Sequence, residues 1–275
     1  MTSFLPTSDA LSWGRTPRVS QNIARPSFAD ELRTLIIDAR ELPVGLLAAG
    51  LRRSYGDSCL NDGGAVIDMG GLDRLVSFDR ATGRLVAEAG ISLADILRVA
   101  VPAGFFLPVT PGTKFVTLGG AIANDVHGKN HHRAGTFGRW VRRLTLIRSD
   151  GSEHELSDDD TTGLFAATVG GLGLTGIIAR AELQLQPIAS SMMEVETIPF
   201  GNVSEFFRLA EESDATHDYT VAWIDCLSSG RALGRGVFSR ARHSGEGARK
   251  VEDKRVLSVP IAAPDFLLNR FSLSA

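Results

Sequence analysis

The spacing of apolar residues predicts two amphipathic helices in the first half of the chain. Apolar side chains recur at helical intervals within residues 27–41, and Ser27 is a candidate N-cap for that helix. A second helix is predicted over residues 92–103, where leucine, isoleucine and alanine share one face. Ser92 is placed to cap its start and Gly104 to end it.

Short apolar runs, separated by glycine, aspartate and proline, predict strands along the rest of the chain. Two of these runs flank an Asp-Gly pair at residues 150–151, which is typical of a β-hairpin. Two shorter helices are predicted over residues 161–169 and 203–212. The predicted strands cover residues 44–47, 65–68, 75–78, 85–88, 141–148, 153–156, 177–185, 195–198 and 220–225.

These elements predict an α+β fold in two domains. Strands and helices do not alternate regularly, so a doubly wound parallel sheet is excluded. Residues 1–26 carry three prolines and are predicted to be irregular. The pattern changes after Pro187, so we expect one domain over residues 11–187 and the start of a second over residues 188–275.

Composition and charge narrow the classes of function. The formal net charge is −3, which argues against a partner nucleic acid held by a broad basic surface. The two cysteines, Cys59 and Cys226, are too few for a disulfide framework or a four-thiolate metal site. Because no signal peptide and no membrane-spanning apolar run are recognisable, we expect a cytoplasmic protein or one at the periphery of the cell envelope. Peripheral membrane contact stays open.

Three local motifs look like known ligand sites but fail in context. Gly171–Gly176 matches the dinucleotide-binding pattern, yet a helix is predicted before it and a strand after it, the reverse of the required order. We therefore interpret it as a tight glycine turn. Gly128-Lys129 lacks two further residues of a P-loop. The histidines within residues 127–132 lack the helix and the additional ligands of a metal site, so no metal is expected.

Two glycine-bearing segments are better candidates for a functional site. The loop over residues 48–58 follows a strand, and its successive backbone N–H groups can form a concave anion site, to which Ser54 adds a hydroxyl. An ordinary loop between strands is the alternative. In the second segment, residues 111–128, Gly119 and Gly120 let the backbone approach a flat or charged ligand. Packing of small residues in a helix is the alternative there.

Both segments resemble the decaprenylphosphoryl-β-D-ribose 2-oxidase family of the vanillyl-alcohol-oxidase superfamily. Residues 117–132 are similar to that family's signature, and residues 127–132 are its most specific part. Residues 53–57 and 168–178 match as well. The resemblance implies a PCMH-type α+β domain of two subdomains that binds FAD noncovalently, followed by a substrate domain.

The resemblance also implies roles for individual residues. The loop 48–58 would hold the FAD pyrophosphate, and Ile178 would pack near the adenine. The implied cofactor-binding residues are Ala48, Ala49, Gly50, Leu51, Arg52, Arg53, Ser54, Tyr55, Gly56, Asp57, Ser58, Gly112, Thr117, Leu118, Gly119, Gly120, Asn124, Asp125, Val126, His127 and Ile178. His127 is also a candidate catalytic residue, because a neutral imidazole can accept a proton. Tyr55 is a candidate contact to flavin or substrate, with a capping aromatic as the alternative.

The implied reaction is oxidation of the ribose 2-hydroxyl of a polyprenyl-phosphoryl ribose to a ketone in arabinan precursor synthesis. The flavin takes the hydride, and a partner reductase completes the epimerisation. Two alternatives stay open: an FAD oxidase of aldonolactones or alditols, and a non-catalytic FAD-binding fragment. Residues 127–132 favour the ribose oxidase, whereas the chain length favours the fragment.

The sequence departs from the family pattern in three ways. Arg52 stands where a second glycine is usual, which predicts a stiffer or differently turned loop, and Asn124 stands where a cysteine can occur. The family's chains are longer, so we expect this chain of 275 residues to be C-terminally truncated and inactive by itself. Apolar side chains at Phe266, Leu267, Leu268 and Phe271 are expected to favour association.

Overall fold

The computed structural model describes residues 2–42 and 44–252. The helices are α1 (Glu31–Asp38), α2 (Leu93–Ala100), α3 (Leu118–Ala123), α4 (His131–Ala134), α5 (Leu164–Thr168) and α6 (Val203–Asp214). The strands are β1 (Leu5–Thr7), β2 (Gln21–Ala24), β3 (Leu46–Ala49), β4 (Ala65–Asp68), β5 (Leu75–Asp79), β6 (Arg84–Glu88), β7 (Phe105–Phe106), β8 (Val141–Ile147), β9 (Glu153–Ser157), β10 (Ile177–Gln184), β11 (Gln186–Pro187), β12 (Met193–Phe200), β13 (Tyr219–Ile224) and β14 (Gly236–His243). The chain divides into two compact units after Ser190.

The first unit contains a four-stranded sheet in the order β1-β2-β4-β3. β4 pairs in parallel with both β2 and β3, and its residues Ala65, Val66 and Ile67 are fully buried, as expected for a central parallel strand. The prediction that residues 1–26 are irregular is wrong, because β1 and β2 lie there. The polar side chains of Gln21 and Asn22 at the start of β2 hide its strand pattern.

The predicted helix over residues 27–41 begins later than expected, at Glu31. The Glu31 carboxylate accepts hydrogen bonds from the backbone N–H groups of Ser27 and Phe28, at 2.8 and 2.9 Å, so Ser27 lies in the preceding turn and is not the N-cap. α2 is capped as predicted, since Ser92 Oγ accepts from the N–H of Asp95 at 3.1 Å. The start of α2 is therefore set by its cap.

A five-stranded antiparallel sheet in the order β5-β6-β10-β8-β9 forms the rest of the first unit's core. The predicted hairpin over residues 141–156 is confirmed, with Leu144 opposite Leu156 and Gly151 in the turn at a φ of +82°. Leu85 of β6 and Leu183 of β10 face each other and are fully buried. Alternating apolar residues in these strands thus cover one face of the sheet.

The long segment between α2 and β8 contains two short helices, α3 and α4, that the sequence pattern did not predict. Gly119 and Gly120 hide α3, because glycine has low helix propensity. Thr117 Oγ1 compensates by accepting a hydrogen bond from the N–H of Gly120 at 3.1 Å. The expectation that the histidine run is not helical is wrong for His131 and His132, which lie in α4, and holds for His127.

The second unit is described from Ser191 to residue 252 and contains a small antiparallel sheet in the order β12-β14-β13 together with α6. Phe200, Leu209 and Phe238 form its buried core. The sequence pattern missed β14, since charged residues interrupt its apolar positions. The predicted association-prone residues, Phe266 to Phe271, lie outside the described part of the chain. Among the residues that are described, no helix has the length and apolarity needed to cross a bilayer.

Candidate functional site

A cleft of about 220 Å³ lies in the first unit, where three segments converge. These segments are the loop after β3, the residues around α3 and the glycine turn before β10. The predicted site residues that line the cleft are Ala48, Ala49, Gly50, Leu51, Arg52, Arg53, Ser54, Ser58, Thr117, Gly119, Gly120, Asn124, Val126 and Ile178. The predicted site residues outside its lining are Tyr55, Gly56, Asp57, Gly112, Leu118, Asp125 and His127.

The loop after β3 is attached at both of its ends. A Cβ on Gly50 would lie 2.2 Å from Thr117 Oγ1, so only glycine lets these two segments approach so closely. Farther along the loop, the Trp13 N–H donates to the Ser54 carbonyl at 2.9 Å, and the Arg53 guanidinium lies 4.9 Å from the centre of the Trp13 ring. Residues near the start of the chain therefore hold the outer half of the loop.

The tip of this loop points away from the cleft. Tyr55 is 81% exposed, and its carbonyl oxygen would be 2.3 Å from a Cβ on Gly14. Its backbone thus packs on the residues near the start of the chain, while its ring reaches solvent. Gly56 and Asp57 are also exposed. The contact of Tyr55 with flavin or substrate stays a prediction.

Arg52 occupies an uncommon place in the loop. Its φ is +51°, a left-handed conformation that glycine adopts easily and arginine rarely does. Its side chain is only 16% exposed, and its Nη1 lies 3.7 Å from Asp68 Oδ2. Nε and Nη2 of the same guanidinium are buried and form no hydrogen bond with any residue that the structure describes. Two nitrogen atoms of a charged group, with three N–H donors between them, are thus buried without a hydrogen bond.

The start of α3 forms a second wall of the cleft, and unlike the loop after β3 it is attached to the core by backbone hydrogen bonds. The backbone N–H of Leu118 donates to Ile91 at 2.9 Å, and that of Gly119 donates to Ala89 at 2.7 Å. The Leu118 side chain is fully buried, so it packs in the core and not in the cleft. A Cβ on Gly119 would lie 2.9 Å from the Cβ of Ala89, whereas one on Gly120 would meet only the Thr117 hydroxyl, at 2.9 Å.

The residues after α3 divide between the cleft and its support. Asn124 lines the cleft and donates from Nδ2 to the Gly120 carbonyl at 2.8 Å. Asp125 has a φ of +40° and accepts from the N–H of Gly138 at 2.8 Å, so it holds the chain turn in place. His127 is exposed, and its ring centre lies 6.0 Å from that of His131.

Gly112 also lies away from the cleft. A Cβ built on this glycine would have no neighbour within 4 Å, so no close approach within the described residues explains the glycine. Its implied role in binding the flavin stays a prediction.

The glycine turn before β10 closes the third side. α5 precedes it and β10 follows it, which confirms the interpretation as a turn and excludes the dinucleotide-binding reading. The Leu172 N–H donates to Ala123 at 2.9 Å, which attaches the turn to α3. Gly173 has a φ of +80°, and Ile178, just beyond the turn, is 6% exposed. The turn therefore presents backbone and one buried apolar side chain to the cleft.

Several lining residues lie outside the set implied by the sequence: Cys59, Met69, Ala89, Val116, Ala121, Ala123, Leu172, Gly173 and Gly176. The glycine run carried a signal for the last three, since it matches the family, but only Ile178 beyond it was assigned to the site. Met69 and Ala89 follow the ends of β4 and β6, and only the sheet arrangement brings them here. Burial raises the pKa of the Cys59 thiol, and the nearby Arg52 charge opposes that rise.

Comparison with known proteins identifies the family to which a chain with this cleft belongs. The sequence profile of the FAD binding domain matches residues 20–157. The chain belongs to this family. It is 37% identical over 97% of its length to a decaprenylphosphoryl-β-D-ribose oxidase of Mycolicibacterium smegmatis, of which it covers 60%. It is 29% identical over 64% of its length to a mouse L-gulonolactone oxidase, of which it covers 40%.

These relatives confirm the resemblance that residues 117–132 indicated, and the α+β, PCMH-type fold with it. A further relative is a D-lactate dehydrogenase of Anaerostipes hadrus, 24% identical over 66% of the chain, of which the chain covers 40%. The chain thus spans between two fifths and three fifths of the length of these curated relatives.

The residues of the cleft fit FAD. The cofactor carries a doubly charged pyrophosphate, and the cleft offers the positive charge of Arg52 together with backbone loosened by glycine. Its flat rings need a wall without projecting side chains, and Gly120 supplies one, while the missing side chain of Gly119 lets the same turn pack on Ala89. Ile178 adds an apolar surface of the kind that covers an adenine ring.

Proposed function

We propose that the protein is an FAD-dependent oxidoreductase that oxidises a secondary alcohol of a sugar to a ketone. The substrate we propose is a polyprenyl-phosphoryl ribose, oxidised at its 2-hydroxyl. The observation that carries the proposal is the convergence of both predicted glycine segments, together with Ile178, on one cleft in a chain of the FAD-binding family. The similarity to a decaprenylphosphoryl-β-D-ribose oxidase supports the choice of substrate.

FAD, when bound, supplies the hydride acceptor for this reaction. The residues of the chain bind and orient it: the loop 48–58 holds the pyrophosphate, and Gly119 and Gly120 let the flat rings lie against the backbone. Ile178 covers the adenine half. We propose that this binding is noncovalent, because the resemblance around His127 is to enzymes that bind FAD without a covalent bond.

We propose that His127 accepts the proton of the substrate hydroxyl. It is exposed and lies beyond the end of α3, so a substrate approaching the cleft from solvent can reach its ring. His131, whose ring centre is 6.0 Å away, is the natural comparison, because it belongs to the same cluster. Tyr55, also exposed, is proposed as a contact to flavin or substrate.

The proposal also assigns a role to the second unit. We propose that residues 11–187 form the FAD-binding domain and that residue 188 begins a substrate domain. A partner reductase that reduces the ketone would complete the epimerisation. Because the lipid tail anchors the polyprenyl-phosphoryl substrate in a membrane, the protein would act at the membrane surface.

Absorbance and acid precipitation test the cofactor part of the proposal. The full-length protein should be yellow, and acid should release the flavin into the supernatant. Flavin that stays with the pellet contradicts noncovalent binding. A colourless protein that gains no flavin absorbance on addition of FAD contradicts the assignment of the cofactor.

Anaerobic flavin bleaching tests the substrate part. A polyprenyl-phosphoryl ribose should bleach the flavin, whereas an aldonolactone and an alditol should not. Bleaching by an aldonolactone or an alditol, but not by the ribose, favours the alternative, an FAD oxidase of aldonolactones or alditols. His127→Gln should slow bleaching by about 10²- to 10⁴-fold, as expected for loss of a general base, without loss of flavin. His131→Gln, the matched control, should stay within a few-fold of the wild type, and equal loss in both variants contradicts the role of His127.

A further inference from the structure

The side chain of Asn130 is buried in the segment that follows α3. Only 3% of this residue is exposed, and a buried amide is stable only if its donors and its acceptor are paired. Its Nδ2 donates to the Pro108 carbonyl at 2.8 Å, and its Oδ1 accepts from the Thr110 N–H at 3.4 Å. One side-chain amide thus binds the backbone of residues 108–110 at two points.

Gly128 lets two backbone segments meet beside this amide. A Cβ on Gly128 would lie 2.4 Å from the Thr110 carbonyl oxygen, so a larger residue would push the segments apart. The Lys129 N–H donates to the same carbonyl at 3.3 Å. We call these contacts, made by Gly128, Lys129 and Asn130 with Pro108 and Thr110, the Asn130 clamp.

The Asn130 clamp joins the two segments that carry Gly112 and His127. Both of these residues lie outside the cleft lining, although both were predicted to belong to the site. His127 immediately precedes Gly128, and Gly112 lies two residues after Thr110. Because the His127 ring is exposed, the backbone that carries the ring determines where it lies.

The backbone on the other side of His127 is attached to the cleft. Val126 lines the cleft, and its N–H donates to the Ala121 carbonyl of α3 at 3.0 Å. The Val126 carbonyl accepts from the Phe137 N–H, also at 3.0 Å. His127 is therefore held at one end by the wall of the cleft and at the other end by the Asn130 clamp.

We propose that Asn130 is a positioning residue, which holds the backbone of His127 so that its ring can reach the substrate hydroxyl. The inference rests on the proposed role of His127 as the proton acceptor. A general base must lie within hydrogen-bond reach of the proton, and a displacement of about 1 Å can slow a reaction about 10²-fold. Since Asn130 is buried, its effect passes through the residues that it holds.

A double-mutant cycle in the full-length protein tests the inference, with anaerobic flavin bleaching by a polyprenyl-phosphoryl ribose as the measurement. Asn130→Ala removes both side-chain contacts and should slow bleaching about 10- to 100-fold without loss of flavin. In a His127→Gln background the same change should slow bleaching less than about threefold, because the positioned base is already gone. Equal slowing in both backgrounds overturns the inference.

The circular dichroism of the bound flavin in the visible range is a readout that needs no turnover. It depends on the groups that the protein holds around the flavin, so Asn130→Ala should change it. Gly128→Ala should change it in the same direction, because the added Cβ separates the same two segments. A flavin spectrum that both variants leave unchanged overturns the inference. Asn130→Ser, whose shorter hydroxyl cannot reach both partners, replaces Asn130→Ala if that variant does not fold.

Gln184→Ala is the matched control, because it also removes a side-chain amide that binds two backbone groups. Gln184 lies at the opposite end of β10 from Ile178, and its Nε2 donates to the carbonyls of Thr82 and Leu185 at 2.8 and 3.0 Å. Below the thermal midpoint of every variant, Gln184→Ala should bleach within about twofold of the wild type and keep its flavin spectrum. Slowing equal to that of Asn130→Ala would indicate a general loss of stability and overturn the inference.

The outcomes also separate the inference from the proposed function. A wild-type protein that is bleached by the ribose, with Asn130→Ala bleached equally fast, overturns the role of Asn130 alone. A wild-type protein that binds FAD but is not bleached overturns the proposed reaction and this inference with it.

Discussion

The loop after β3 and the start of α3 form two walls of the same cleft, but the chain holds them by different means. At the start of α3, backbone N–H groups donate to the core, and the Leu118 side chain is fully buried. The loop after β3 is largely exposed and is anchored by Gly50 at one end and by Trp13 at the other. One wall is thus fixed by the fold, whereas the other depends on a few contacts.

The largest effect should come from a change that breaks the fixed wall. Gly119→Val places a branched side chain against Ala89, where a Cβ alone would already lie 2.9 Å from the Ala89 Cβ and 3.1 Å from its carbonyl oxygen. We expect a loss of about 1–3 kcal/mol in the free energy of unfolding from overpacking. Urea denaturation measures it, and a variant as stable as the wild type would show that this wall is not close-packed.

Gly120→Val is the matched change on the cleft side of the same helical turn. A Cβ here would meet only the Thr117 hydroxyl, at 2.9 Å, but that hydroxyl caps α3, so the free energy of unfolding should fall by about 1 kcal/mol, the cost of a weakened cap. FAD binding should weaken at least about tenfold, because the side chain enters the space of the ligand. Flavin content and thermal melting are measured together. Equal loss of both would mean that Gly120 serves packing, like Gly119.

A change at the anchor of the exposed wall, the loop after β3, should have a smaller effect. Trp13→Ala removes the ring beneath the Arg53 guanidinium, an exposed contact worth about 0.5–1 kcal/mol, but leaves the backbone hydrogen bond to Ser54. We expect the Kd for FAD to rise about two- to fivefold with little change in thermal midpoint. Trp223→Ala, which alters an exposed tryptophan of the second unit, is the control. Loss of FAD binding in both variants would contradict the anchoring role.

The smallest effect should appear in the rates at which the two cysteine thiols are alkylated. Burial raises the pKa of Cys59, so its reactive thiolate should be scarce at pH 7.5 and increase only at higher pH than for an ordinary thiol. Iodoacetamide should therefore modify the exposed Cys226 first. Because Cys59 lines the cleft, FAD should slow its modification further and leave Cys226 unchanged. Mass spectrometry follows both sites, and equal rates at pH 7.5 would contradict this order.

The local sequence pattern was sufficient to predict those parts of the fold in which the alternation of apolar and polar residues agrees with the turn residues. The hairpin over residues 141–156 is the clearest example, because Asp150-Gly151 marks its turn. α3 was missed because its two glycines contradict helix propensity, and only the Thr117 cap and the surrounding core stabilise it. β14 was missed because its charged residues pair across the sheet, as Arg242 does with Glu194 at 2.8 Å.

The candidate site shows the same division. The glycine content identified both segments, and the resemblance to a known family added Ile178; the cleft brings all three together. It could not identify Met69 or Ala89, because their place in the cleft depends on how β4 and β6 lie in two different sheets. The residue type at position 52, arginine, does not predict a left-handed backbone either, because that conformation depends on the surrounding turn.

The contact between Gly50 and Thr117 has a consequence for the order in which the protein assembles. It joins segments that are distant along the chain, and such contacts form late in folding because closing a long loop costs entropy. A partly folded chain therefore has no cleft, and FAD binds only the completed fold. A ligand with that preference shifts the folding equilibrium by mass action. The supply of flavin during synthesis should thus help to set how much of the chain survives as folded protein.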